Sequence, residues 1–94
     1  CEVKLGQSVD RSQLLRRFAE LQYKRNDQAL VRGTFRAKGD VIELFPSHHE
    51  DRAWRISLFG DEVESLVEFD PLTGEKTARL ESVKAYPSSH YVTP

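Results

Sequence analysis

The chain has 94 residues, of which 38% are hydrophobic and 31% are charged, and its net charge is −1 from 14 Lys and Arg against 15 Asp and Glu. This length allows one small domain without a second catalytic lobe, and the composition excludes disorder and a membrane span. The near-neutral charge argues against a general affinity for nucleic-acid phosphates, which depends on neutralising many phosphates at once.

The chain carries one cysteine, Cys1, and begins with it rather than with Met. A single cysteine cannot form a disulfide within the chain, which favours a reducing, cytoplasmic setting. No positively charged segment followed by an apolar core stands at the N-terminus, so no signal peptide is visible. The start without Met indicates a piece of a longer protein, and we expect residues 1–94 to form a single domain.

The first predicted element is a helix that starts at Asp10. Asp10 followed by Gln13 resembles a capping box, in which the carboxylate accepts hydrogen bonds from the free N–H groups of the first turn. Apolar residues then recur at spacings of four and three and form one stripe. These are Leu14, Phe18 and Leu21. We expect the helix to end near residues 25–27, where short polar side chains compete for backbone hydrogen bonds.

From Val31 the pattern alternates with a period of two, which predicts a strand with an apolar and a basic face. The basic face carries Arg32, Arg36 and Lys38. Residues 39–40 fit a two-residue hairpin turn, because glycine accepts the positive φ that such turns need. The predicted pairs are Phe35 with Leu44, Arg36 with Glu43, Ala37 with Ile42 and Lys38 with Val41. This register puts the apolar residues of both strands on one side, as burial requires.

Pro46 ends the second strand because it cannot donate a backbone hydrogen bond, and residues 47–51 are predicted to form an exposed loop. A second hairpin follows, with its turn at residues 60–61 and a strand over residues 62–69. The predicted pairs are Phe59 with Glu62, Leu58 with Val63 and Trp54 with Val67. In this register Phe59 and Leu66 fall on the polar face, so we expect that face to be partly covered.

Residues 70–74 include a proline and a glycine and predict a turn, and a last strand is expected between Thr77 and Tyr86. One helix followed by sequential hairpins indicates an α+β fold. We expect the N-terminal helix to pack on one face of an antiparallel β-sheet.

No pattern in the chain is typical of catalysis. The five glycines are isolated, and no Gly-Lys-Ser or Gly-Lys-Thr follows a predicted strand, so we expect neither ATP binding nor any other cofactor. A metal site is not expected either, because the histidines at 48, 49 and 90 lack a suitably placed cysteine. The acidic residues Asp61, Glu62, Glu64 and Glu68 fit a soluble sheet edge better than paired catalytic carboxylates.

The basic strand face allows three interpretations. A charged strand face is often simply the solvated side of a half-buried sheet, and spacing alone favours this reading. The second is an acidic protein partner, since arginine offers five donors in a fixed fork that suits carboxylates. The third is a nucleic-acid-binding module that uses Arg32, Arg36 and Lys38, for which the net charge is unfavourable.

Five segments of the chain, in order, resemble the UvrB family of bacterial nucleotide-excision-repair proteins. They are LLRRFAELQYKRND, RGTFRAKGDVIELFP, FGDEVE, FDPLTGE and YPSSHYVTP. The resemblance runs from about Gln7 to Pro94 and implies a non-catalytic domain that binds UvrA and is inserted in the first helicase lobe of a larger protein. Because the chain has its own alternating core, we expect the domain to fold alone as a monomer. UvrC and DNA would contact other domains. The related domain of the transcription-repair coupling factor is the alternative, but FDPLTGE and HYVTP fit UvrB better.

The resemblance also implies which residues contact UvrA. By motif they are Arg25, Arg36, Lys38 and Arg55. Arg32, which continues the predicted basic row of the strand, is expected at the periphery. Two positions depart from the family pattern, because many relatives carry Arg in place of Lys38 and a carboxylate in place of Ser57. Lysine keeps the charge without the fork, and Ser57 removes any acidic contact. Arg79 lies outside this basic set.

Overall fold

The structure is a computed structural model that describes residues 1–48 and 51–88. Within these residues the chain forms one helix and eight strands. In chain order they are β1 (Glu2–Lys4), α1 (Arg11–Glu20), β2 (Lys24–Arg25), β3 (Thr34–Lys38), β4 (Val41–Leu44), β5 (Ala53–Phe59), β6 (Glu62–Phe69), β7 (Lys76–Arg79) and β8 (Ser82–Lys84). One sheet has the order β2-β3-β4-β5-β6-β7, and β1 pairs with β8 in a second sheet. The predicted α+β fold is confirmed.

Helix α1 begins where the sequence predicts. Asp10 has an extended backbone, and its carboxylate accepts a hydrogen bond from the Gln13 N–H at 3.0 Å, so it is the N-cap residue. Leu14 and Phe18 are buried beneath the helix. The Phe18 ring lies 5.7 Å from the ring of Phe35 on β3, tilted by 59°. The apolar stripe therefore anchors α1 to the sheet.

The end of α1 differs from the prediction. The helix stops at Glu20, not near residues 25–27. Gln22 takes a left-handed φ of 73°, and Tyr23 enters the core with its hydroxyl accepting a hydrogen bond from the Ser47 N–H at 3.2 Å. Burying a large aromatic side chain outweighs the weak preference of polar residues for one more helical turn. The chain then continues as β2, which pairs with β3 in parallel.

The first hairpin has the predicted register, with all four expected pairs between β3 and β4. Its start was predicted wrongly, since β3 begins at Thr34 rather than Val31. The Thr34 hydroxyl donates to the Val31 carbonyl at 2.7 Å and accepts from the Val31 N–H at 3.0 Å, which closes a turn. Arg32 lies in this turn and does not continue the basic row of the strand.

The second hairpin follows the prediction only near its turn, where both expected pairs are present. A β-bulge at Ser57 and Leu58 then shifts the register. Trp54 faces Glu68 rather than Val67, so that predicted pair is wrong. A bulge adds one residue to one strand, and this reverses the side to which every later residue of that strand points.

The bulge exchanges the sides of two apolar residues of β6, Leu66 and Val67. Leu66 faces Ile56 and is only 2% exposed within the core beneath α1, although simple alternation placed it on the polar face. Phe59, in contrast, remains 74% exposed. The bulge therefore completes the apolar face of β6.

The last predicted strand is two strands in the structure. β7 extends the large sheet beside β6, whereas β8 pairs antiparallel with β1, a short strand that the sequence did not predict. Val3 on β1 and Val83 on β8 face each other and are buried in the main core. The small sheet thus brings both ends of the described chain together.

The large sheet has two faces that differ in character. The inner face packs on α1 and carries most of the core, including Phe35, Ile42, Leu44, Trp54, Ile56, Leu58, Val63 and Leu66. The outer face has a small apolar cluster of Phe45, Ala53 and Phe69, with Leu30 packed against it. Among residues 1–48 and 51–88, no helix is long and apolar enough to cross a membrane.

Candidate functional site

The outer face carries a row of charged residues on three neighbouring strands. Arg36 on β3 pairs with Glu43 on β4, and Glu43 pairs with Arg55 on β5. Directly opposed residues of antiparallel strands point to the same side of the sheet. The register therefore brings two arginines to one carboxylate, and we call these three residues the Glu43 triad.

Both arginines of the Glu43 triad contact the carboxylate through Nε. Arg36 Nε donates to Oε1 of Glu43 and Arg55 Nε donates to Oε2, each at 2.6 Å. Glu43 is 7% exposed, which is costly for a charge unless it is paired and hydrogen-bonded. The two charge-assisted bonds offset that cost, and the triad keeps one net positive charge.

Aromatic rings support two arginines from below. The guanidinium carbon of Arg55 lies 4.3 Å from the centre of the Phe69 ring, and that of Arg32 lies 5.0 Å from the centre of the Phe45 ring. Arg32 also donates to Asp51 at 2.7 Å. Cation–π contacts at these distances attract a guanidinium to the face of the ring. The small apolar cluster of the outer face thus serves as the base for the basic residues.

A groove of about 580 Å³ lies beside the Glu43 triad. It is lined by Asp27, Arg36, Ala37, Lys38, Val41 and Glu43. Lys38 is exposed and follows Arg36 by two residues on β3, so both point to the outer face. Ser57, which faces Val41 on the neighbouring strand, is half-buried on the same side. The lining of the groove therefore combines the basic Arg36 and Lys38 with two carboxylates and two small apolar residues.

Arg25 reaches this groove indirectly. Its Nε lies 3.1 and 3.2 Å from the two carboxylate oxygens of Asp27, which also accepts the Ala37 N–H at 3.2 Å. The hydrogen bond from Arg25 and then the one from Ala37 hold the pKa of Asp27 below its usual value of 3.8. Because Asp27 lines the groove, Arg25 stands at its margin and outside the cross-strand row.

The structure therefore brings only some of the predicted binding residues together. Arg36 and Arg55 share one carboxylate, Lys38 adjoins them, Arg25 lies at the margin, and Arg32 lies over Phe45. Arg79 faces Val67, which faces Arg55, so it belongs to the same row on the outer face. It lies outside the basic set that the family motifs define, and its place in the row does not by itself make it a binding residue.

Sequence reasoning did not identify Glu43 as a site residue. The predicted hairpin register already paired it with Arg36, which was a usable signal. Its contact with Arg55 depends on the pairing of β4 with β5 across a loop, and no turn signal fixes that register. Phe69 was missed for the same reason, since its place beneath Arg55 follows from the packing of the outer face.

The histidines and the acidic residues near the second turn were the other candidate groups in the sequence. Within residues 1–48 and 51–88, no group of three or more His, Cys, Asp or Glu is placed to hold a metal ion. The His48 ring lies 2.9 Å from the Pro87 carbonyl oxygen, whereas His49 and His90 lie outside the described residues. Of the acidic residues near the second turn, Glu68 accepts a hydrogen bond from the Thr77 hydroxyl, which is a role within the sheet.

Comparison with known proteins gives one consistent result. A family model described as the UvrB interaction domain matches residues 1–91. The UvrABC system protein B of Anaplasma marginale (strain Florida) is 52% identical over 92 residues, which cover 98% of this chain and 14% of that protein. The proteins of the same name from Nitrosococcus oceani and Anaplasma phagocytophilum are also 52% identical, over 90 and 92 residues. The chain matches 96% and 98% of its own length to these two but spans only 13% and 14% of theirs.

Proposed function

We propose that this chain, which belongs to the UvrB interaction domain family, is the docking module through which a longer UvrB protein binds UvrA in nucleotide excision repair. The domain itself would be non-catalytic and monomeric. Contacts with UvrC and DNA would belong to other parts of the longer protein. All of the relatives named above are UvrB proteins, which favours this assignment over the related domain of the transcription-repair coupling factor.

The observation that carries the proposal is the Glu43 triad on the outer face. Arg36 and Arg55 are held in place from within the domain, yet their side chains remain 37% and 27% exposed. Guanidinium groups that are ordered and still accessible can bind carboxylates of a partner at a reduced cost in conformational entropy. Lys38 and Arg25 extend the basic surface along the groove. An acidic region of UvrA is the partner that fits this surface.

DNA fits the outer face less well. The net charge of the chain is −1, and Arg25, Arg32, Arg36 and Arg55 each already contact a carboxylate of the domain. Few phosphates could therefore be neutralised, so binding to DNA should be weak at physiological salt. A sub-micromolar dissociation constant for single-stranded or duplex DNA would favour a nucleic-acid-binding module instead.

Charge reversal tests the proposed surface more sharply than truncation does. Truncating Arg36 or Arg55 to Ala removes an attraction that solvent partly screens, of about 0–1 kcal/mol, whereas reversal to Glu adds repulsion from an acidic partner. Calorimetric titration with UvrA should therefore show weaker binding for Arg36→Glu than for Arg36→Ala. Because a second carboxylate beside Glu43 also destabilises the domain, circular dichroism must show each variant to be folded.

Lys38→Glu is the variant that avoids this difficulty, because Lys38 stands outside the Glu43 triad and its reversal leaves both arginine contacts in place. The matched control is Arg16→Glu, an exposed position on α1 at the opposite side of the sheet. We expect Lys38→Glu to weaken binding and Arg16→Glu to leave it unchanged. Wild-type affinity should also fall as salt rises, chiefly through slower association. If folded Lys38→Glu, Arg36→Glu and Arg55→Glu all bind as tightly as wild type, the proposed surface is wrong.

A further inference from the structure

An acidic residue occupies the centre of the surface proposed for an acidic partner. Glu43 lies between Arg36 and Arg55, and its side chain is 9% exposed against 37% and 27% for the two arginines. A carboxylate at this place lowers the positive charge of the surface and repels an acidic partner. If net charge alone governed binding, Glu43 would weaken it, so its presence needs a different physical reason.

The reason lies in which nitrogen each arginine uses. Both contacts with Glu43 are made through Nε, and among the residues that the structure describes neither Arg36 nor Arg55 donates a hydrogen bond through its terminal Nη atoms. A guanidinium is planar and rigid, so fixing Nε on one carboxylate oxygen also fixes the direction of the two Nη atoms. Each arginine therefore keeps the pair of donors that suits bidentate binding of a second carboxylate.

We propose that Glu43 is a positioning residue for partner binding, an inference that rests on the docking function proposed above. It holds the guanidinium groups of Arg36 and Arg55 side by side, with their Nη pairs available to two carboxylates of one acidic segment of the partner. Arg36 and Arg55 make the contact, and Glu43 acts through them. Fixing two long side chains before binding removes an entropy cost that binding would otherwise carry.

Glu43→Gln distinguishes a positioning role from an effect of net charge, because the two predict opposite changes in affinity for an acidic partner. Removing a negative charge should strengthen binding to an acidic partner if only net charge matters. On the positioning account, binding should weaken on the order of tenfold, since two arginine side chains must then be ordered during association. Glu20→Gln removes the same charge from an exposed position on α1 and is the matched control.

Two measurements on the folded 94-residue chain test the inference. Nitrogen-15 NMR should show that the Nε–H signals of Arg36 and Arg55, each assigned by its loss in the corresponding Ala variant, exchange slowly with water in wild type and in Glu20→Gln. In Glu43→Gln these signals should exchange fast, and calorimetric titration with UvrA should show the weaker affinity. Equal or tighter binding by folded Glu43→Gln, or unchanged Nε–H exchange, would overturn the positioning role.

Glu43→Asp covers the case in which Glu43→Gln does not fold. It keeps the charge but shortens the side chain, so one carboxylate can no longer reach both Nε atoms. Net charge alone predicts unchanged affinity, whereas positioning predicts a loss, and unchanged affinity would again refute the inference. Failure of the wild-type chain to bind UvrA would instead refute the proposed function, while the Nε–H exchange rates would still show whether Glu43 orders the two arginines.

Discussion

Truncating both arginines of the Glu43 triad should destabilise the domain by more than the two single truncations add up to. Arg36→Ala leaves Arg55 on the carboxylate and should cost about 1 kcal/mol, as expected for one partly exposed charge pair. Arg55→Ala also loses the contact with the Phe69 ring, which lies 4.3 Å from the guanidinium carbon, and should cost about 2 kcal/mol.

The double variant leaves Glu43, which is 7% exposed, without either partner. Leaving a buried charge unpaired costs about 3–5 kcal/mol, and the lost contact between Arg55 and Phe69 adds about 1 kcal/mol. The double variant should therefore lose about 4–6 kcal/mol, which exceeds the sum of about 3 kcal/mol for the single variants by about 1–3 kcal/mol. This is a large effect for a domain whose whole stability is on the order of 5–14 kcal/mol. Adding Glu43→Gln to the double variant removes the unpaired charge and should restore part of the loss.

Urea unfolding of the wild type and the three variants of this cycle would measure the effect, provided that the slope of the unfolding free energy against urea concentration is the same for all four proteins. Ser12→Ala, an exposed position on α1, serves as a control for the precision of the midpoints. A double variant whose loss equals the sum of the single losses would refute the reasoning. It would mean that water solvates Glu43 as soon as the arginines are removed, so that the arginines themselves are the cause of its burial.

Three further predictions follow from the fold. Phe18→Ala should cost about 3–5 kcal/mol in urea unfolding, because the ring is 1% exposed, and a loss below about 1 kcal/mol would contradict its place in the core. Leu66→Asp should unfold the domain at lower urea than Ser65→Asp, since the bulge turns Leu66 towards α1, and the reverse order would argue against the bulge. Arg25 lowers the pKa of Asp27 below 3.8 in the folded chain, so this carboxylate stabilises the fold above that pH and loses its effect as the pH falls through the lowered value. The stability difference between wild type and Asp27→Asn should accordingly shrink on acidification, and a difference that grows would contradict the sign.

The first hairpin shows which features of the fold could be predicted from the sequence alone. Its register followed from a glycine at the turn and from alternating apolar residues on both strands, and the four predicted pairs are present. The start of α1 at Asp10 was also predictable, because a cap depends on residues within one turn of each other. The α+β fold and the family likewise follow from local patterns in the order in which they occur along the chain.

Features that depend on distant residues could not be predicted in this way. Helix α1 ends early because Tyr23 is buried against the rest of the domain, and the sequence near Tyr23 carries no sign of that burial. The bulge that turns Leu66 inwards is one residue long and interrupts a regular alternation that by itself fits an unbroken strand.

In the candidate site too, local patterns predicted some features and distant contacts decided the others. Its basic residues were found from strand alternation and family motifs, which act on a few neighbouring positions. Their arrangement around Glu43 was not, because it requires β5 to pair with β4 across the loop after Leu44 and Phe69 to pack beneath Arg55. Turn chemistry and periodicity fix contacts within a hairpin, where the chain itself joins the partners. Contacts between hairpins are decided by how the whole sheet buries its apolar faces, and only the tertiary structure records that outcome.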